Sequence, residues 1–264
     1  MPAIYAHDRF GVQVSERLDG RLREIVTRYY PQFSIGLQGP DIFFFYRPYK
    51  DNPVVRYGGR LHHSSALPFF RHAARVLRKT GPDSREYAYL MGFICHFVLD
   101  SECHPYVTEM VAKTNVQHLE IEAEFEKALL RLDGHDPFFY PIPDLLPADA
   151  VSAAAIAPFY AKSVTPKLVL ASLKDLRRVK QIFTAPCPVK FHIVNTLLKA
   201  TGKYAYCKGL MYQRKDNPVC AQSNAELLKR FDSSVDLAVR MIGDFDEYLK
   251  AGAELCERFD RSFE

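Results

Sequence analysis

Apolar residues recur at intervals of three and four along most of this chain, whereas the strict alternation that is typical of strands is scarce. This spacing turns one face of a helix toward a core and the other toward water. Near the start, "DRFGVQVSERL" and "RLREIVTRYY" each predict a short helix. The pattern as a whole predicts an all-α fold.

Longer periodic stretches predict the central helices. "SSALPFFRHAARVLRK" joins a candidate serine cap to an apolar stripe, and "GPDSREYAYLMGFICHFVLD" follows with Pro82 near its first turn. We expect "HPYV" to start or restart a helix, because Pro105 would break a helix interior. The next helix, "NVQHLEIEAEFEKALLRLDG", has Asn115 as a candidate N-cap and Gly134 as a candidate stop.

The second half of the chain predicts further helices and no distinct linker. Residues 133–147 contain four prolines and predict a loop, and helices are expected around 148–160, 166–184, 188–200 and 222–252. Residues 201–219 are the least helical part. Because no repeat or low-complexity segment divides the chain, we expect a single multi-helix domain over residues 1–264, with its C-terminal helices in 148–264.

Composition and charge exclude several classes of protein. The chain has 264 residues, 48% of them hydrophobic, and its formal charge of +4 is spread without a dense basic block, which makes nucleic acid a less favoured partner. An apolar leader is missing from the first residues, and no apolar run reaches the roughly 18 residues of a membrane span. We therefore expect a cytoplasmic protein whose six cysteines are reduced.

Candidate chemistry is concentrated in "GFICHFVLDSECHPYV" and the helix after it. His96, Asp100 and His104 recur every fourth residue among Phe, Ile and Leu, and His118 and Glu122 repeat the spacing further on. Side chains four apart lie on the same helix face, where an imidazole and a carboxylate can converge on one Zn²⁺ ion. Metal ligation would compensate for burying such polar groups.

Each element also has a simpler explanation. A lone His-x3-Asp is more often a surface pair, and the second pair lies in a strongly charged helix that could simply be solvated. Asp41, after a Gly-Pro turn and before four aromatic residues, either caps a helix or binds a ligand. Of the neighbouring His62 and His63, one at most is expected to face inward. Considered by itself, His7 is expected to be an exposed histidine near the terminus.

The order of these motifs resembles the zinc-dependent phospholipase C family, whose all-helical fold is shared with P1/S1-type nucleases. The resemblance runs through "GPDIFFFY", "GGRLHHSS", "GFICHFVLDSECHPY" and "QHLEIEAEFE", and it concentrates the metal-site residues in 1–135. It implies two or three zinc ions. The first ion would be held by Asp41, His62 and His96, with His63 as the alternative to His62 and with Asp100 bridging to a neighbouring ion. The second would be held by His104, His118 and Glu122. The third would be held by His7, Asp100 and an N-terminal residue, here Met1 or Pro2.

The resemblance implies a phosphodiester hydrolase of phospholipase C type. Asp100 would bridge two ions, Asp41 would be a ligand and proton acceptor, and Glu102 would orient ligands from a second layer. The substrate would be a phosphodiester, with phospholipids among the candidates, and Tyr5 and the aromatic run 43–46 would either hold a headgroup or belong to the core. Two alternatives remain: a single-strand nuclease that uses the basic runs 174–181 and 212–218, and a non-catalytic helical protein with fully ligated ions.

Overall fold

The computed structural model describes residues 3–202, 204–252 and 254–264. It is 74% helical, and the described part contains twelve α-helices and no strand, so the predicted all-α fold is confirmed. The α-helices are α1 (Ile4–Arg17), α2 (Gly20–Arg28), α3 (Tyr30–Gly36), α4 (Pro53–His63), α5 (Leu67–Thr80), α6 (Arg85–Thr114), α7 (His118–Leu132), α8 (Ala150–Ile156), α9 (Pro166–Phe183), α10 (Pro188–Ala200), α11 (Tyr204–Cys207) and α12 (Cys220–Ala251). Short 3₁₀ helices lie at Gly39–Phe43, Ile142–Leu145, Ala157–Phe159, Lys208–Leu210 and Glu257–Asp260.

Helix α6 is the centre of the molecule. Its residues from 87 to 101 are buried without interruption, and α1, α3, α7 and α12 pack around it. A helix that is apolar on all sides needs neighbours on all sides. Because α6 is surrounded in this way, any polar side chain on it must find a partner inside the protein.

Two glycines let α3 cross α6 almost backbone to backbone. A Cβ atom on Gly36 would lie 2.1 Å from the carbonyl oxygen of Tyr89, and one on Gly92 would lie 2.1 Å from that of Phe33. Only hydrogen at both positions permits this approach. The contact positions the 3₁₀ helix Gly39–Phe43, which follows α3 directly, beside the middle of α6.

The predicted break at Pro105 is wrong. Helix α6 continues through the proline to Thr114 and ends on Asn115, which has a left-handed φ of 56°. Asn115 therefore ends α6 and does not cap α7, which starts at His118. An interior proline costs about 3 kcal/mol, and the burial of Val107 and Met110 beyond it explains why the helix continues.

The second half follows the predicted helices within a few residues. Helices α8, α9, α10 and α12 match the expected ranges, and the described residues between 201 and 219 form two short helices. The main core joins residues from Ala3 to Phe263, whereas α10 packs on a small separate cluster of Ala185, Val194 and Met211. All six cysteines are free. No helix in the described ranges has the length and hydropathy to cross a membrane; the single domain and the cytoplasmic location stay predictions.

Candidate metal centre

Asp100 lies at the centre of the polar ladder on α6. Its Oδ2 is 3.1 Å from Nε2 of His96, and its Oδ1 is 3.4 Å from Nε2 of His104. From α1, His7 brings its own Nε2 to 3.2 Å from Asp100 Oδ1. All four residues are at most 4% exposed. The simpler explanations, a surface His-x3-Asp pair and an exposed His7, are therefore excluded.

A second carboxylate and imidazole meet beside this ladder. Asp41, on the 3₁₀ helix after α3, has its Oδ1 2.6 Å from Nε2 of His62 in the last turn of α4. Asp41 lies inside this 3₁₀ helix, whose N-cap is Gln38, and it is not the N-cap of any other helix in the described ranges. The neighbouring His63 is 68% exposed and pairs with Glu264 at 2.9 Å, so the side chain that faces the ladder is that of His62.

The first turn of α7 provides the third part of the centre. Nε2 of His118 is 3.0 Å from Oε1 of Glu122, and Nε2 of His104 is 3.3 Å from the same oxygen. Glu122 is 9% exposed, so this pair is not a solvated helix face. His104 belongs to both neighbourhoods, which joins the α7 pair to the ladder.

Four groups of three side chains place their ligand atoms within 4.8 Å of one another in the described ranges. The groups are His7, His96 and Asp100; Asp41, His62 and His96; His62, Asp100 and His104; and His104, His118 and Glu122. Two ligand atoms at tetrahedral Zn²⁺ lie about 3.3 Å apart, and the contacts above span similar distances. All eight predicted ligands are thus brought together, while their assignment to ions stays a prediction.

Backbone carbonyls orient two of the imidazoles. Nδ1 of His96 donates to the carbonyl oxygen of Leu37 at 3.1 Å, and Nδ1 of His104 donates to that of Phe263 at 3.0 Å. A proton held on Nδ1 leaves Nε2 to face the centre with its lone pair, which is the usual support of a metal-bound histidine. Sequence reasoning missed both partners because a carbonyl has no side-chain signature.

The charge states of Asp100 and His7 suit metal ligation. At His104, burial would lower the pKa, but Asp100 and Glu122 raise it above its usual value. Burial alone would raise the pKa of Asp100, but His104, His96 and His7 hold it well below its usual range. Burial lowers the pKa of His7, and the neighbouring His96 lowers it further. An ionised carboxylate and neutral imidazoles are the forms that bind a metal.

Buried polar atoms that lack a hydrogen-bond partner also indicate a metal site. His96 Nε2 and Asp100 Oδ2 lie 3.1 Å apart but are not oriented for a hydrogen bond, and neither has another hydrogen-bond partner in the described part of the chain. Such atoms are costly to bury without a partner. A zinc ion would satisfy both, so the residues fit the group.

Two further residues position the ligands. A Cβ on Gly39, whose φ is +50°, would lie 2.1 Å from Cδ2 of His96, so glycine is needed beside that ring. Glu126 accepts hydrogen bonds from the backbone N–H groups of Tyr5 at 2.6 Å and Ala6 at 3.3 Å, which fixes the start of α1 just before His7. In the sequence, the Gly-Pro turn marks Gly39 as a position of special backbone conformation. Glu126 has no such signal, because it is one of several acidic residues on the same helix.

A cavity of about 220 Å³ opens beside three of the candidate ligands. It is lined by Phe44, His62, His104, Gln117, His118, Leu119, Tyr206 and Glu264. Phe43, Phe45 and Tyr5 are buried in the core, so only Phe44 of the predicted aromatic set lines this cavity. The carboxylate of Glu102, the predicted second-layer residue, pairs with Arg258 and Arg261, and its orienting role stays a prediction.

The N-terminal ligand that the resemblance implies falls on Met1 or Pro2, which lie outside the described residues. Comparison with known proteins adds one finding. A family model described as zinc dependent phospholipase C matches residues 6–176, well over half of the chain, including all eight predicted side-chain ligands. No curated protein and no solved structure matches the chain. The resemblance of the motifs is confirmed, and the chain belongs to the zinc-dependent phospholipase C family.

Proposed function

We propose that this protein is a zinc-dependent phosphodiester hydrolase of phospholipase C type, in which water attacks phosphorus. The observation that carries the proposal is the cavity against His62, His104 and His118. A structural zinc site is closed by its ligands, whereas a catalytic site keeps a position open to substrate. The cavity supplies that access and argues against a fully ligated, non-catalytic centre.

We propose two or three zinc ions with the ligands that the motifs imply. Asp41, His62 and His96 would hold the first ion, with Asp100 shared. His104, His118 and Glu122 would hold the second, and His7 with Asp100 would contribute to a third. The four groups of converging side chains support this assignment.

When bound, zinc would supply an activated water and neutralise the charge that develops on the phosphoryl oxygens. Asp100 suits a bridging role because its two oxygens face different imidazoles. Asp41, held by His62, is the candidate acceptor for the proton of the attacking water. His96 and His104 stay aimed at the centre through their Nδ1–H bonds to backbone carbonyls.

The cavity also suits a cationic headgroup. Phe44 and Tyr206 provide aromatic faces, and the Glu264 side chain adds a carboxylate at the same cavity. Aromatic faces attract quaternary ammonium groups, and a carboxylate strengthens that preference. A phosphatidylcholine-like substrate therefore fits better than an anionic one.

Several side chains of the basic runs that would serve a nuclease are engaged elsewhere. Arg177 pairs with Asp144 at 3.3 Å, and Lys180 is buried. Arg214 lies over the ring of Phe138 at 4.3 Å. Since stacking of single-stranded DNA needs a basic groove that is free to track its backbone, the phospholipase is the favoured function.

Metal content and hydrolysis test the proposal together. We expect the purified protein to contain zinc and to hydrolyse bis-p-nitrophenyl phosphate. We expect removal of the zinc by a chelator to abolish that hydrolysis. Asp100→Asn should lose both zinc and at least about 100-fold in rate. Asp246→Asn, a buried carboxylate far from the centre in contact with Arg21, is the matched control and should keep its zinc.

Three results would count against the proposal. A zinc-free protein after gentle purification would remove its basis, and an unchanged rate in Asp100→Asn would remove the bridging role. Faster cleavage of single-stranded DNA than of phosphatidylcholine would favour the nuclease instead.

A further inference from the structure

Helix α10 exposes an apolar stripe. Val189, Ile193 and Leu197 are four residues apart, so they share one helix face, and they are 69%, 55% and 62% exposed. Only Val194 and Asn195 of this helix are buried. We call Val189, Ile193 and Leu197 the exposed stripe. A contiguous apolar face on a helix surface indicates an interaction site, whereas single exposed apolar residues do not.

The segment that carries the exposed stripe has a net positive charge, although its basic residues form no dense block. Residues 176–215 contain no Asp or Glu, while the rest of the chain has a net negative charge. The basic residues in this range are Arg177, Arg178, Lys180, Lys190, Lys199, Lys203, Lys208, Arg214 and Lys215. Lys199, next to the exposed stripe in the last turn of α10, is exposed, so its charge is available at the surface. Arg214, whose guanidinium lies 5.6 Å from the Phe191 ring of α10, is exposed as well, but it donates to the carbonyl oxygens of Ala185 and Pro186.

The exposed stripe is tied to the metal centre through α11. The Lys199 ammonium of α10 lies 5.1 Å from the Tyr204 ring, and Tyr206, which is 66% exposed, lines the cavity of the centre. Just after α11, Lys208 pairs with Glu120 at 2.6 Å, and a Cβ on Gly209 would lie 2.3 Å from the Leu119 backbone. This segment is thus docked on the first turn of α7, beside the candidate ligand His118.

We propose that the exposed stripe and its basic surroundings form a docking surface for anionic lipid bilayers, which would present the metal cavity to a phospholipid headgroup. The inference rests on the proposed function. An apolar helix face flanked by Lys and Arg enters the boundary between headgroups and acyl chains and is attracted by anionic lipids. A second copy of this chain fits less well, because a two-fold contact through this face would bring two basic segments together.

Vesicle sedimentation tests the surface by binding alone. The protein as purified is mixed on ice with vesicles of phosphatidylcholine alone or of phosphatidylcholine and phosphatidylglycerol in about a two-to-one ratio, and the vesicles are sedimented before lipid is consumed. We expect the mixed vesicles to bind it more tightly, and the double variant Ile193→Gln/Leu197→Gln to weaken that binding by roughly tenfold or more. The matched control is Val151→Gln on α8, a residue that is 57% exposed and lies outside residues 176–215, and it should bind like the unaltered protein.

Charge and self-association provide the second arm. Lys199→Gln should weaken binding to mixed vesicles and leave phosphatidylcholine vesicles unaffected, whereas Lys229→Gln, 78% exposed on α12, should change neither. The unaltered protein and the double variant are also compared by analytical ultracentrifugation without lipid. Equal vesicle binding by the double variant and its control, or a dimer that only the double variant loses, would overturn the proposal.

Activity separates this inference from the function on which it rests. The double variant should keep the rate of the unaltered protein on bis-p-nitrophenyl phosphate and lose it on mixed vesicles. If no form of the protein cleaves either substrate, the proposed function fails while the sedimentation result stands. If the double variant cleaves vesicles as fast as the control, the docking surface fails while the proposed function stands.

Discussion

Gly39 is the residue at the metal centre that tolerates an added methyl group least. Its φ is +50°, and a Cβ would lie 2.1 Å from Cδ2 of His96 and 2.6 Å from Nε2 of the same ring. A left-handed backbone costs an alanine about 1–2 kcal/mol. The clash comes in addition, because the His96 ring is fully buried and is held through Nδ1 by the carbonyl of Leu37.

The displacement of His96 can be estimated from these distances. Ordinary contact between carbon atoms is about 3.5–4.0 Å, so the ring of His96 must move by more than about 1 Å in Gly39→Ala. Ligand positions are tolerated within roughly 0.2 Å of their ideal distances. We therefore expect zinc affinity to fall by at least the roughly 10- to 100-fold that losing a supporting contact costs.

Gly20→Ala is the matched control. Gly20 has a φ of +46°, close to that of Gly39, but a Cβ there would meet no atom within 4 Å. Both variants should lose about 1–2 kcal/mol of unfolding free energy in urea through backbone strain. Only Gly39→Ala should also lose zinc affinity in a competition titration with a chromogenic chelator. Equal zinc affinity in the two variants would refute the placement of His96 as a ligand.

Two further predictions concern stability. Gly92→Ala drives a methyl group into the backbone of α3, so it should lower the free energy of unfolding in urea by about 3 kcal/mol or more. Gly243→Ala, in open space on α12, should raise the free energy of unfolding by about 0.5–1 kcal/mol. Equal effects would contradict the close crossing of α3 and α6. Asp246 is buried, which would raise its pKa, but hydrogen bonds from Lys250 and Arg21 hold that pKa below its usual value. Asp246→Asn should therefore lower the free energy of unfolding by about 1–3 kcal/mol at pH 7. The difference from the unaltered protein should shrink as the pH falls below about 4, because a carboxylate with a lowered pKa loses its stabilising effect once it is protonated. A difference that does not change with pH would exclude this linkage.

Local spacing explains why the sequence predicted the ladder. Residues four apart share a helix face whatever the rest of the chain does, so His96, Asp100 and His104 were found from the helix period alone. The pair His118 and Glu122 follows the same rule. Their convergence with Asp41 and His62 depends on how three separate elements pack, and it was implied only by the order of the family motifs.

Tertiary packing explains where the sequence misled. Pro105 disfavours a helix interior locally, but buried residues on both sides of it keep α6 continuous. The continuous helix keeps His104 on the same face as Asp100, with Nε2 of His104 3.4 Å from Oδ1 of Asp100, so the two predicted ion sites lie side by side. Asn115 then takes the left-handed position at the end of α6, where asparagine is tolerated.

The C-terminal segment supports the metal centre although its sequence carries no ligand motif. Phe263 accepts from Nδ1 of His104 and donates its backbone N–H to the carbonyl of His62 at 3.1 Å, and its ring lies 4.9 Å from that of His62. Arg258 and Arg261 anchor the same segment to Glu102 on α6.

The family match covers residues 6–176, so it contains the eight candidate side-chain ligands and none of this C-terminal support. The affinity of a histidine for a metal depends on the hydrogen bond that orients the ring through its second nitrogen. Changes near Phe263 will therefore alter zinc affinity through His104 and His62 while the ligand set stays intact. In this chain the ligands identify the family, and the segment beyond the match holds two of them in place.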